Sequence, residues 1–148
     1  MPDFDAVAVA LAARFAPAAV TPPAGGYVNI RSSSAYPTAA LGPLPCVLVL
    51  PAEGDFISGN GKREGSLDWT VRFYFSQTGT PEKDAKALLK WLTVLVDQTK
   101  AAFQLGGTVA TAPVMGYRVG KLTFGDQDYS GIELTVHTEV HEAWSATA

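Results

Sequence analysis

One cysteine, two histidines and a charged fraction of only 17% leave this 148-residue chain poor in the groups that most catalytic and metal sites use. The single Cys46 has no partner for an internal disulfide. Its setting in Pro45-Cys46-Val47-Leu48-Val49-Leu50 is that of a small buried hydrophobe. No apolar run approaches the roughly 20 residues that a membrane-spanning helix needs. The Ala-rich start opens Met1-Pro2-Asp3-Phe4-Asp5, acidic where a secretion signal is basic, and Arg14 interrupts its apolar stretch. The expectation is a soluble protein made in a cytoplasm and not exported by a signal. A formal net charge of −3, with no large basic patch around Lys62-Arg63 or the helix lysines, argues against base-reading contact with nucleic acid. There is no repeat at a fixed period and no low-complexity tract.

Catalytic motifs are missing as well. Ser130-Gly131 lacks the glycine two places earlier that a nucleophile elbow requires. Gly59-Asn60-Gly61-Lys62 lacks the Ser or Thr that follows the lysine of a phosphate loop. His137 and His141 share one face of a strand with Glu133 and Glu139, but strand positions four apart are separated by about 13 Å. Two such histidines cannot grip one ion, and a solvated sheet face is the expected reading. No catalytic, cofactor-binding or metal-binding residue is therefore expected.

What is present is a globular pattern. A hydrophobic content of 47% over this length suits one domain, residues 1–148, with a substantial core. Its organising stretch is Thr80 to Gly106, expected to be a long helix. Thr80 suits the cap, Pro81 the first turn, and Glu82 and Asp84 the positive end of the helix dipole. Ala85, Leu88, Leu89, Leu92, Leu95, Val96, Thr99, Ala102 and Phe103 recur at helical spacing, and Gly106-Gly107 ends the run. Trp91 and Val94 lie outside that stripe, so either another element of the chain or another subunit must cover them.

Ahead of this helix, Asp3 or Asp5 starts a short one, with Phe4, Val7, Ala8, Leu11 and Phe15 on one face and Pro17 beyond its end. Residues 17–45 form an extended Pro/Gly-rich loop in which Tyr27 to Arg31 alternates like a short edge strand. Leu44 to Leu50 reads as a buried strand. Residues 52–66 read as a flexible hairpin arm, and Leu67 to Phe75 as its alternating return strand. After the long helix, Thr108 to Phe124 is a strand expected to bulge near Gly120. Gly125 to Asp128 makes a turn. Ile132, Leu134, Val136, Thr138 and Val140 then alternate with Glu133, Thr135, His137, Glu139 and His141. The expected fold is α+β: an antiparallel sheet of about four main strands, with the long and the short N-terminal helix on one face. The other face is expected to be charged.

This layout resembles the tail terminator proteins of long-tailed bacteriophages. The likeness rests on the order of elements: a short helix, a Pro/Gly-rich connection, and the Pro-flanked strand Leu44-Pro45-Cys46-Val47-Leu48-Val49-Leu50. The arm follows, then Trp69-Thr70-Val71-Arg72-Phe73-Tyr74-Phe75, the amphipathic helix, and Gly120 to Phe124 paired with Gly131 to His141. The resemblance implies a structural virion protein with no catalysis, located at the neck. It implies a homo-hexameric ring that caps the tail tube and joins it to the head–tail connector, or stopper, with DNA passing through unread. The partners so implied are further copies of the chain, the tail tube protein and the connector. Interface residues expected on this reading are Trp91, Val94, Phe56, Ile57, Lys62, Arg63 and Trp144. The alternatives are another head–tail joining or minor tail protein, or a small α+β binding or enzymatic domain using the sheet face around Arg72, His137 and Glu139.

Overall fold

A computed structural model describes residues 4–36, 40–59, 62–77, 81–100 and 114–143, with side chains described except at 4, 52–59, 62–66, 81–83, 100, 114–115 and 140–143. The elements are α1 (Phe4–Arg14), β1 (Ser32–Ser34), β2 (Cys46–Gly59), β3 (Lys62–Ser76), α2 (Pro81–Lys100), β4 (Val114–Phe124) and β5 (Gln127–Ala143). The expected cap at Thr80, the helix end at Gly106-Gly107, and Trp144 all lie outside the described residues, as does the tip of the 52–66 arm.

The chain is α+β, as its patterning implies, but the sheet is mixed and five-stranded in the order β1-β2-β3-β5-β4. The expected four antiparallel strands are all there; the addition is β1, which runs parallel to β2 through Ser32↔Cys46 and Ser34↔Leu48. Tyr27 to Arg31, expected to be that edge strand, is not one. Asn29 organises it differently: its amide donates to the carbonyls of Pro17 and Val20, both at 3.0 Å, and its side-chain oxygen accepts from the Ile30 N–H at 2.8 Å. A side chain that satisfies the local backbone competes with a strand ladder. The Arg31 N–H then reaches the Pro45 carbonyl at 2.7 Å, and the strand begins one residue later.

β2 and β3 pair as one long hairpin, continuous from Cys46↔Tyr74 to Gly59↔Lys62 except for a shift between Pro51 and Glu53. Proline has no N–H to donate, so an irregularity beside Pro51 costs the ladder little. In β4 the irregularity falls between Val114 and Gly116 instead of at Gly120, which pairs regularly with Gly131. The β4–β5 turn is tighter than expected: Phe124 pairs with Gln127 around Gly125-Asp126, and Gly125 has a φ of +60°. Glycine at that position removes the steric cost of the left-handed conformation.

Both helices lie on one face of the sheet in a single core. Val7, Leu11 and Phe15 of the α1 segment join Leu88, Trp91 and Leu95 of α2 against Val47, Val49, Val71, Phe73, Ile132, Leu134 and Val136. Gln98 ties the two helices together by donating to the carbonyls of Arg14 at 2.8 Å and Ala19 at 2.9 Å. The first closes an acceptor that the end of α1 would otherwise leave open. Ser33 adds a bond to the Ala12 carbonyl at 2.6 Å.

The opposite face departs from the expected charged surface. Near the β4–β5 turn it carries a second apolar cluster of Cys46, Leu48, Tyr74, Leu122 and Tyr129, with Leu41, Leu44 and Phe124 packed on it. Tyr74 meets the rings of Phe124 and Tyr129 edge-on, with centroids 6.1 and 5.5 Å away. The connection before β2 folds over this end of the sheet. Farther along the same face stand Arg72, Arg118, Glu133, Asp68 and His137.

Candidate functional site

Trp91, expected at an interface, lies inside its own chain. It is completely buried, with its ring centroid 4.8 Å from that of Phe73. Lying three residues after Leu88 and four before Leu95, it shares their face, and the sheet of its own chain covers it. Val94 is partly buried against the same core. Of the apolar helix residues, Leu89, at 58% exposure, and Ala85 face outward, although the sequence pattern places both in the apolar stripe. A helix residue one position on from a core residue is turned by about 100°, enough to leave the buried arc. The backbone positions of Phe56, Ile57, Lys62 and Arg63 lie in the β2–β3 hairpin, at Phe56↔Gly65, Ile57↔Glu64, Ser58↔Arg63 and Gly59↔Lys62. Their side chains, like Trp144, lie outside what is described. Sequence reasoning missed Tyr117, 64% exposed on β4, and Val9 and Val28, each about half-exposed.

The polar part of the outer face is built by register. Arg72, Glu133 and Arg118 stand opposite one another on β3, β5 and β4. The Arg72 Nε donates to Glu133 at 2.9 Å, and Arg118 approaches the same carboxylate oxygen at 3.7 Å. The Tyr74 hydroxyl lies near the Arg72 guanidinium but is buried with no partner at hydrogen-bonding geometry among the described residues. Burial pushes its pKa up, and the neighbouring guanidinium opposes that shift.

Farther along, Asp68 and His137 are register partners. The Asp68 carboxylate lies 2.6 Å from His137 Nδ1, and Glu139 lies 3.3 Å from Nε2. Contact with Asp68, helped by Glu139, raises the His137 pKa above 6.5, against a smaller opposing effect of partial burial. Directly behind this rung, on the core face, the Trp69 indole donates to Thr138 Oγ1 at 3.0 Å, and Thr138 donates to the Leu67 carbonyl at 2.8 Å. The sheet is thus cross-linked by side chains on both faces at one level.

Among the described residues, the charged side chains of this face are joined in ion pairs. Among the described residues, no group of His, Cys, Asp and Glu is arranged to hold a metal ion. Burial lifts the Cys46 thiol to about 11, which leaves it a poor nucleophile at neutral pH. An open cleft of about 520 Å³ lies between the 26–28 turn, Pro45, the end of β3 and Asp84 of α2. Lys90 sits over the Tyr27 ring at its edge, 5.6 Å from the centroid. No helix among the described residues is long and apolar enough to cross a membrane.

These features define an α+β protein with two helices on one face of a mixed sheet, and a small apolar cluster beside ion pairs on the other. No protein-family model matches the chain, and no curated protein matches it significantly.

Proposed function

We propose that this chain is a structural protein of a phage neck, forming a ring that caps the tail tube and joins it to the head connector. The observation that carries the reading is the order and proportion of the elements. A short helix, a long Pro/Gly-rich connection, a hairpin of 14- and 15-residue strands, a 20-residue helix and a closing hairpin follow one another along a single sheet. That order is the one on which the resemblance to tail terminator proteins rests. Surface composition supports it: Leu89, Tyr117, Val9 and Val28 expose apolar area on different elements, as contacts repeated around a closed axis require. With Trp91 inside the core, the subunit contacts fall to the long hairpin, Leu89 and Tyr117. On this reading the partners are further copies of the chain, the tail tube protein and the connector, and the protein resides in the virion.

Light scattering over a range of concentrations tests it. A hexamer, or a monomer that converts to rings with rising concentration, is the expected result, followed by rings on tube ends in negative-stain images. A monomer that never joins tail tubes supplied to it overturns the proposal.

A further inference from the structure

We propose that His137 is a protonation-controlled pin at the root of the β2–β3 hairpin, tying β3 to β5 while it is an imidazolium and loosening the strand pairing beyond it when neutral. The geometry carries this. An ionised carboxylate only accepts hydrogen bonds, so a ring with Asp68 at 2.6 Å from one nitrogen and Glu139 at 3.3 Å from the other holds both of its protons. Neutral imidazole has a single N–H, and one of the two contacts then sets two acceptors against each other.

The location makes the charge consequential. Core residues reach this level as Trp69 and Thr138, whose hydrogen bond lies on the helix-covered face. Past it the β3–β5 ladder runs on through Gly65↔Val140, Glu64↔His141, Arg63↔Glu142 and Lys62↔Ala143. His137 secures the other face at the same point. Its described charged neighbours are Asp68 across the ladder and Glu139 on its own strand; beyond Asp68, the backbone register partner on β2 is Glu53. Toward the core, Thr70↔Thr135 adds no charge, and Arg72–Glu133 is a closed pair one rung farther. Both helices lie on the opposite face. Losing the imidazolium therefore leaves the Asp68 and Glu139 carboxylates with no cation between them among the described residues.

The sign follows from the direction of the shift. A histidine whose folded pKa lies above 6.5 adds its stabilisation in full below that value and loses it as the pH climbs through the folded pKa. The inference does not depend on ring formation.

Hydrogen exchange on the full chain tests it, corrected for intrinsic rates, at about pH 6 and about pH 8.5 and at one fixed particle mass. Protection of amides 62–67 and 139–143, relative to amides 71–74, should fall about two- to fivefold at the higher pH, the span of measured exposed ion pairs. His137→Gln should abolish that pH dependence, and Asp68→Asn should move it to lower pH. An unchanged ratio in the wild type, or the same change in His137→Gln, overturns the proposal. Should either variant fail to fold, nitrogen chemical shifts of the wild-type ring decide: two protonated nitrogens at pH 6 support the pin, and a neutral ring at that pH overturns it.

Discussion

At the scale of single residues, the tightest of the described glycines lies in β5. A methyl group at Gly131 would run into the backbone carbonyl of Phe73 and stand 2.7 Å from Leu122 Cδ1. Neither a β-strand carbonyl nor the packed second cluster has room to retreat. Gly131→Ala should therefore cost about 1–3 kcal/mol in urea unfolding, the usual range for overpacking. Trp91 makes the opposite case, a large side chain with nothing to replace it. Trp91→Ala should lower stability by about 3–5 kcal/mol. If it instead left the unfolding curve unchanged while blocking assembly, its burial against Phe73 would have no energetic weight. Alternation along Leu67 to Phe75 and Ile132 to Thr138 placed the inner and outer side chains of both strands from the sequence alone. The spacing rule also covers Trp91, which an arc centred on Leu89 places outside the stripe.

At the scale of elements, the end of α1 is tied to α2 around Gln98, whose carbonyl also accepts from Arg14 at 3.3 Å. Apolar burial holds α1 to the sheet, but Gln98 supplies the only described side-chain donor to the carbonyls of Arg14 and Ala19. Gln98→Glu keeps the shape and removes that donor. It should cost about 1–2 kcal/mol and speed exchange of amides near the end of α1 more than those of α2. Uniform loss of protection across the chain would show that the two helices do not separate on their own. No local pattern marks Gln98, because its acceptors lie some 80 residues earlier in the chain. The strand at Ser32–Ser34 was illegible for a similar reason. Three serines carry no hydrophobic period, and only the docking of Cys46–Leu48 alongside makes them a strand.

At the scale of the whole molecule, assembly and folding should respond to different residues. Leu89 stands 58% exposed on α2 and contributes little to the monomer. Leu89→Glu should leave thermal stability within about 0.5 kcal/mol of wild type. In the neck reading it should shift the light-scattering transition to higher protein concentration. A ring unaffected by this change would direct attention to the long hairpin as the main contact. The split between roles also explains why the surface was harder to read than the core: a core is recognised by period, whereas an exposed apolar residue obeys no rule that sequence spacing expresses.

By itself the sequence determined the α+β class, the inner faces of β3 and β5, the two helices, the presence of a glycine turn before β5 and the buried, unreactive setting of Cys46. Each follows from periodicity or from backbone chemistry within a few residues. Only the tertiary structure decided the parallel edge strand, the burial of Trp91, the apolar cluster on the outer face, the Gln98 bridge and the pairing of Asp68 with His137. Those depend on which distant segments come to lie side by side, and register and covering contacts leave no trace in local spacing.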